Sequence, residues 1–430
     1  MLASGAQGRG FIRDAEIEAT LQKIARPILQ AAGLSPGGVR IVIVNDHSLN
    51  AFVAGRNTIF LNSGLLARLR NVGMIQAVIA HEVAHIQAGH MITRRINAKG
   101  SQSAAAVGIL LAGIAASQGA DGSSAAALAM AGVEVAKRQF LSHSRAEEAA
   151  ADQASIRYLA RAGIAPQAAL DALDLVRGQE ALSPRRRDPY ALTHPLSSQR
   201  ISYLRDVVAS TQVSDIASDP NIPYWHARMV AKFEGFQQNP RMLLRRIAKN
   251  DTSELATYRR AIAAHRMSNL GDAHRDIDAL IRARPKDPYY RELKAQFFLE
   301  AGDAPNAVSQ YRAALARSPK DAQISTGLAR ALLATDTPRA NREALKLLQA
   351  AKNRDIASPQ TLQYLALAYA RSGDKGRASL ATAERYALAG RLKDADIHAR
   401  RAETLLAEGT PAWRNATDIR RLAARAAKQE

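Results

Sequence analysis

Two histidines and a glutamate stand together in one short segment of the sequence, His81-Glu82-Val83-Ala84-His85. Residues four apart on an α-helix are separated by about 400°, so both imidazoles would emerge on one face. Two neutral imidazole nitrogens at that spacing can bind one Zn²⁺ ion. Glu82, next to the first histidine, can accept a proton from a water at the metal. The segment predicts the site of a zinc-dependent hydrolase, with His81 and His85 as ligands and Glu82 as catalytic base.

The residues around this segment predict that its helix is buried. Apolar residues recur at helical spacing between positions 72 and 91, among them Ile75, Ile79 and Val83. A solvated helix face with incidental histidines fits this pattern poorly. Two histidines and a carboxylate in a buried helix are costly without a partner, and a metal ion would supply one.

A catalytic zinc ion commonly has a third protein ligand and a water. The metzincin pattern needs a histidine six residues after His85, but Met91 stands there, so that class is excluded. His90 lies about 500° around a continuous helix from His85. We therefore expect His90 to be a capping or surface residue.

A second acidic segment is the alternative source of the third ligand. Glu148 and Asp152 are four residues apart in a helix predicted from about Ser144 to Ala162, so they share a face. One could bind the metal while the other orients a ligand imidazole, and Arg145 could hold the carboxylates in place. Both could instead be ordinary acidic residues near a helix N-terminus.

The rest of the first half mixes strand and helix patterns. Residues 39–44 and 58–61 are predicted strands because they are short, β-branched or aromatic, and next to turn residues. Residues 104–116 are apolar but shorter than the roughly 20 residues that cross a bilayer. We expect the 104–133 region to rest on a membrane surface, to cover the cleft or to form a buried hairpin. Residues 183–195 are a predicted loop with three prolines, which contains His194.

The second half of the sequence contains an internal repeat. Pro285-Lys286-Asp287 recurs 34 residues later as Pro319-Lys320-Asp321, which is the tetratricopeptide period. Gly-Asp pairs recur where turns between paired helices are expected. The sequence predicts a tetratricopeptide superhelix over about 240–430, joined through a linker over 216–239 to a first domain over 1–215.

Composition excludes several classes of function. The chain has 430 residues and no cysteine, so thiolate metal sites and disulfides are ruled out. Its 59 basic and 39 acidic residues give a net charge of +20, which favours anionic membrane surfaces or acidic partners. The sequence does not predict nucleic acid as a partner, because it contains no binding motif with interleaved aromatics. The first ten residues lack the charged and apolar regions of a signal peptide.

In combination, HEVAH, SRAEEAAAD and THPLSSQRI resemble the HtpX-like metallopeptidases, relatives of the CAAX prenyl protease. The tetratricopeptide tail resembles the periplasmic branch of that family. The resemblance implies an α+β zincin-like domain, mostly helical with a small sheet, followed by an all-α tetratricopeptide superhelix. It assigns the third zinc ligand to Glu148, the supporting acid to Asp152 and the start of that motif to Arg145.

Two further segments gain a role from the resemblance. Asn50, Ala51 and Phe52 resemble an edge strand beside the cleft, to which substrate would add as a β-strand. His194 resembles a loop histidine that approaches the zinc and keeps the enzyme inactive in its resting state. From the residues alone, His194 could be a fourth ligand, a transition-state donor or a simple loop residue.

The resemblance implies a periplasmic zinc endopeptidase, its signal peptide removed, that acts on misfolded or stalled outer-membrane proteins. The tetratricopeptide domain would contact those substrates and the β-barrel assembly machinery. Two alternatives stay open: a latent protease that serves mainly as a chaperone or scaffold, and a cytoplasmic location.

Overall fold

The computed structural model describes residues 10–54, 57–69, 71–90, 145–175, 177, 194, 198–215, 219–355 and 358–427. The described residues fall into two compact units, and the boundary between them along the chain is between Val230 and Ala231. The first unit combines a small sheet with helices, and the second is helical. The predicted fold class, an α+β domain followed by an all-helical one, is confirmed.

The first unit contains four strands and six helices within its described residues. In chain order they are β1 (Phe11–Ile12), α1 (Ala15–Ala31), β2 (Arg40–Val44), β3 (Ala51–Ala54), β4 (Thr58–Asn62), α2 (Ser63–Arg68), α3 (Val72–Gln87), α4 (Arg145–Arg161), α5 (Gln167–Asp174) and α6 (Ser198–Ser210). A further helix, α7 (Ile222–Gln237), lies where the sequence suggested a linker and contains the boundary between the units.

The strands form one sheet in the order β1-β2-β4-β3. β2 and β4 are parallel, with Ile41 opposite Ile59, and β3 runs antiparallel to β4. β2 and β4 match the two strands predicted from the apolar runs. The two-residue β1, which pairs with β2, was not predicted. β3 lies at an edge of the sheet, as its resemblance to an edge strand implied.

Helix α3 lies at the centre of the first unit. It begins after Asn71, whose side chain accepts a hydrogen bond from the Met74 amide at 2.9 Å. Residues 74–85 of the helix are all buried, because α3 packs against α1, α4 and α5. The predicted end near residue 91 is wrong, because the helix ends at Gln87 and Gly89 takes a left-handed φ of +66°.

Helix α4 packs along α3 and agrees with the helix predicted from about residue 144 to 162. Gly163, at φ +69°, follows its last turn as a glycine that ends a helix commonly does. The side chain of Arg145 is outside the described residues. So are the 104–133 region and the loop over 183–195, apart from His194.

The second unit is a series of antiparallel helices. They are α8 (Pro240–Arg246), α9 (Glu254–Arg266), α10 (Leu270–Ala283), α11 (Pro288–Glu300), α12 (Ala304–Arg317), α13 (Ala322–Ala334), α14 (Pro338–Arg354), α15 (Pro359–Arg371), α16 (Lys375–Leu388), α17 (Leu392–Leu405) and α18 (Pro411–Ala427). Neighbouring helices from α9 onward contact each other. Among all described residues, no helix is both long and apolar enough to cross a bilayer.

The repeated Pro-Lys-Asp motif has a structural cause. The side chain of Asp287 accepts hydrogen bonds from the first amides of α11, and Asp321 does the same for α13. Each aspartate therefore caps the first helix of a pair. Gly327 of α13 is required by close packing, since an added Cβ would lie 2.5 Å from Cε1 of Tyr311.

Candidate metal centre

Four side chains of the first unit bring donor atoms to one point. One ligand atom each from His81, His85, Glu148 and His194 lies within 4.8 Å of all the others, and all four residues are buried. Nε2 of His85 is 3.1 Å from Nε2 of His81. The Glu148 carboxylate oxygens are each 3.3 Å from one of these two nitrogens.

The helices explain this convergence. His81 and His85 are one turn apart on the same face of α3, as their spacing predicted. Helix α4 packs against α3 and carries Glu148 and Asp152 one turn apart on the side that faces α3. Three side chains that are distant in sequence therefore meet between two packed helices.

An outer set of contacts holds these donors. Oδ1 of Asp152 lies 3.0 Å from Nδ1 of His81, on the side of the ring away from the other donors. Arg200 of α6 donates to both Asp152 oxygens, at 2.5 and 2.9 Å, and also lies 2.9 Å from Oε2 of Glu148. The sequence analysis included Arg200 only within the THPLSSQRI motif and predicted no role for it. Arg200 holds the two carboxylates, the role suggested for Arg145.

His194 lies within the donor cluster. Its Nδ1 is 3.0 Å from Oε1 of Glu148 and 3.2 Å from Nε2 of His81. Its Nε2 is 3.3 Å from the carbonyl oxygen of Ala51 and 3.4 Å from Oε1 of Glu82. One imidazole thus touches the donor cluster, the edge strand β3 and the carboxylate expected to act as base.

Glu82 is a buried carboxylate whose nearest ion-pair contact is Nε2 of His194, at 3.4 Å. It is fully buried, and neither carboxylate oxygen has a hydrogen-bond partner among the described residues. Burial raises the pKa of Glu82 above its usual value, although the nearby charges of His194 and His81 oppose the shift. A raised pKa brings the group closer to the range in which it can take and return a proton.

The two histidines of α3 differ electrostatically. Burial lowers the pKa of His85 to about 3, so this imidazole is neutral. Burial acts in the same direction on His81, but the carboxylates of Asp152 and Glu148 override it and raise the pKa of His81 to about 10. In the metal-free protein a proton therefore occupies the position between His81 and the acids.

The two acids of α4 are held in their charged forms. Burial alone would raise the pKa of Glu148, but His194, His81 and His85 together bring it well below its usual value. Burial likewise opposes ionisation of Asp152, and Arg200 and His81 lower its pKa. Two carboxylates thus remain ionised inside the unit because cationic and hydrogen-bonding groups surround them.

His90 is closer to the centre than its sequence position suggested. Its Nδ1 lies 2.8 Å from Nδ1 of His85. The expectation of a capping or surface residue assumed a continuous helix, whereas α3 ends at Gln87 and Gly89 leaves the helical conformation with a φ of +66°. A glycine placed just after a helix was the signal in the sequence that could have indicated this contact.

The edge strand presents its backbone to the centre. The Asn50 carbonyl accepts a hydrogen bond from the Asn62 amide, so the next carbonyl, that of Ala51, points away from β4. The side chains of Asn50 and Phe52 are buried, and Phe52 stacks on Phe60 at 5.1 Å. The main-chain contact of this segment with the centre is therefore the Ala51 carbonyl, which lies 3.3 Å from Nε2 of His194.

The donor set fits a divalent metal ion. Neutral imidazole and carboxylate oxygen are zinc ligands, and an outer carboxylate on a ligand histidine is a common supporting contact. A bound cation would also offset the cost of burying four donors that face one another at 3.0–3.3 Å.

The model of peptidase family M48 matches residues 12–208, which include all four donors. Residues 12–208 are a peptidase family M48 domain. The tetratricopeptide model matches residues 258–322 and 298–360, so repeats follow the M48 domain. The resemblance to HtpX-like metallopeptidases with a tetratricopeptide tail is confirmed, and the protein is a metalloprotease.

Curated relatives extend this similarity beyond the M48 domain. The chain is 27% identical over 364 residues to the β-barrel assembly-enhancing protease of Escherichia coli K12, covering 82% of this chain and 72% of that one. The protein of the same name from Yersinia pestis is 24% identical over 360 residues, with the same coverage. Metalloprotease LoiP of E. coli K12 is 27% identical over 194 residues, 45% of this chain and 71% of that one.

Proposed function

We propose that this protein is a zinc endopeptidase that cleaves misfolded or stalled outer-membrane proteins. The convergence of four buried donors beside Glu82, a buried carboxylate without a hydrogen-bond partner among the described residues, is the observation that carries the catalytic part. The name of the β-barrel assembly-enhancing protease, a relative over most of the chain, supports the substrate class.

His81, His85 and Glu148 would hold the metal, with Asp152 and Arg200 keeping His81 and Glu148 in position. When bound, a zinc ion supplies Lewis-acid chemistry that activates a water and polarises the scissile carbonyl. Glu82 takes a proton from the attacking water and passes it to the leaving amine. Burial favours this role because it raises the pKa of Glu82.

His194 would close the site in the resting state. Its Nδ1 lies among the three proposed ligands, and its Nε2 is near both Glu82 and the Ala51 carbonyl. A ring in this position takes space that water and substrate need. Movement of His194 would open the site, and the same imidazole could then donate a hydrogen bond to the reacting carbonyl oxygen.

Substrate would bind as an extended strand along β3. The Ala51 carbonyl points away from β4, and it accepts a contact from His194 in place of a peptide amide. Main-chain pairing at a sheet edge gives affinity with little dependence on side-chain sequence. Such binding suits a protease that acts on many unfolded segments.

The repeats would supply the partner-binding function. Tetratricopeptide arrays stack helix pairs into extended surfaces that bind proteins. We propose that this surface recruits unfolded substrates and the β-barrel assembly machinery, which implies a periplasmic location. Similarity to a protease named for β-barrel assembly supports both parts. A peripheral membrane contact through 104–133 stays a prediction.

A second candidate function is a latent protease that acts mainly as a chaperone or scaffold. The position of His194 inside the donor cluster favours this alternative, because it describes a closed site. The two candidates predict different behaviour of a variant that cannot perform the proton transfer.

Glu82→Gln tests the proposal and separates the candidates. We expect one zinc ion per chain in both the unaltered protein and the variant, with peptide hydrolysis at least about 100-fold slower in the variant. The variant should also fail to replace the unaltered protein in cells. Full replacement by Glu82→Gln would favour the scaffold, and absence of bound zinc would overturn the catalytic proposal.

A further inference from the structure

Helix α3 ends two residues after its second histidine, His85. Ala88 is the C-cap residue of α3, and the next residue, Gly89, has φ +66°. The Gly89 amide donates a hydrogen bond to the Ile86 carbonyl at 3.1 Å. This is the hydrogen bond of a Schellman turn, in which the residue after the glycine contacts the residue three positions inside the helix end. Those two residues are His90 and His85. The turn therefore brings a second imidazole onto His85 for a reason that is local to the backbone.

The contact is polar and directed. Nδ1 of His90 lies 2.8 Å from Nδ1 of His85, and the ring centroids are 5.0 Å apart at 63°. Nε2 of His85 faces His81 and Glu148. If Nε2 of His85 binds a metal through its lone pair, the proton of that ring resides on Nδ1. His85 then donates, and Nδ1 of His90 must accept, which places the His90 proton on Nε2.

The two ligand histidines thus have different outer partners. Nδ1 of His81 faces the carboxylate of Asp152, whereas Nδ1 of His85 faces an imidazole. A carboxylate at position 90 would add a third negative charge beside Glu148 and Asp152. A neutral imidazole orients His85 without that charge.

We propose that His90 is a positioning residue of the metal centre, which accepts the Nδ1 proton of His85 and aims Nε2 of His85 at the metal. This inference rests on the proposed metal site. Its basis is the 2.8 Å contact and the turn that creates it.

Two substitutions in the full chain distinguish the hydrogen-bond acceptor of the His90 side chain from its volume. His90→Phe keeps a ring but removes the acceptor. His90→Asn places an amide oxygen close to the position of Nδ1 and restores it. His47→Phe, at an exposed histidine of the same unit, controls for the loss of any histidine. Zn²⁺ affinity is measured by competition with a chromophoric chelator, and the visible spectrum of the Co²⁺-loaded protein reports ligand geometry.

We expect His90→Phe to weaken Zn²⁺ binding about 10- to 100-fold and to alter the Co²⁺ spectrum. His90→Asn should recover most of both, and His47→Phe should bind like the unaltered protein. Melting temperatures of the metal-free proteins should agree. Unchanged affinity in His90→Phe, or equal loss in His90→Phe and His90→Asn, would overturn the inference while leaving the metal site intact. Failure of the unaltered protein to bind Zn²⁺ would instead overturn the proposed function and this inference with it.

Discussion

The Asp152 carboxylate lies 3.0 Å from Nδ1 of His81, and it joins α4 to α3 through the ring that is proposed to bind the metal. Arg200 holds the same carboxylate from the opposite side, at 2.5 Å. The orientation of His81 is therefore set by a chain of charged groups from three helices. This chain determines how the centre should respond to pH and to substitution.

Metal binding should release a proton from His81. Its pKa in the metal-free protein is raised to about 10, so the ring is protonated at neutral pH, while a ligand must be neutral. Zn²⁺ affinity should therefore fall about tenfold for each pH unit below 10, as long as other ligands keep their state. Calorimetry in buffers of different ionisation enthalpy would count the proton.

The raised pKa of His81 also predicts how the stability of the metal-free protein changes with pH. Because the pKa of His81 is above its unfolded value of 6.5, its ion pair stabilises the metal-free fold fully below pH 6.5. This contribution should be lost as the pH rises through about 10. His81→Gln should remove the alkaline part of the stability profile; a profile identical to that of the unaltered protein would contradict the assignment.

Glu148 and Glu147 provide a matched pair of variants. Glu148 is buried among the donors, and its neighbour Glu147 is partly exposed on α4. Glu148→Gln should lose bound zinc and hydrolytic activity, because the amide cannot replace a charged ligand. Glu147→Gln should retain both. Elemental analysis measures zinc occupancy. Full occupancy in Glu148→Gln would show that a residue other than Glu148 is the third ligand.

Arg200 should contribute to folding as well as to the site. Its guanidinium faces two buried carboxylates, so Arg200→Met would leave charges without their partner. The free energy of unfolding of the metal-free protein should fall by about 3–5 kcal/mol at neutral pH. Urea unfolding measures this, and Arg157→Met, at an exposed arginine of α4, should change it by less than about 0.5 kcal/mol.

The cost of Arg200→Met should depend on pH. In the unaltered protein Arg200 keeps the pKa of Asp152 below 3.8, so the stabilisation is present above that pH and lost as the pH falls through the folded-state pKa. Without the guanidinium, the buried carboxylates can take up protons at higher pH. The difference between variant and unaltered protein should therefore shrink towards pH 4; a constant difference would indicate a packing effect.

His194→Ala should raise the hydrolysis of an unstructured peptide without loss of zinc. If the closed state is about 90% populated, the gain is limited to about tenfold, because only the open fraction can bind substrate. Initial rates at low substrate concentration measure this. A large fall in kcat with zinc retained would instead identify His194 as a transition-state donor.

Much of the site was accessible from the sequence because helical spacing fixes which side chains share a face. The positions of His81 and His85, and of Glu148 and Asp152, needed only the helical period. That α3 and α4 lie against each other depends on tertiary packing, and this followed only from the family resemblance.

Other features depended on contacts that no local pattern encodes. β1 is two residues long and exists through its pairing with β2. Arg200 reaches Asp152 across 48 residues of sequence. The contact of His90 with His85 was not predicted, because helix periodicity was extended past Gly89, where the backbone leaves the helix. Helical periodicity predicts faces well and chain reversals poorly.

The outward carbonyl of Ala51 has a consequence for what this protease can select. A polypeptide segment whose main-chain groups are already paired within a sheet has none left to pair with β3. A segment that lingers unpaired can pair with β3. If substrate binds along β3 as proposed, cleavage depends on whether a segment pairs with its own sheet before it pairs with β3. Slowly folding chains would then be cleaved, and chains with fully paired sheets would not.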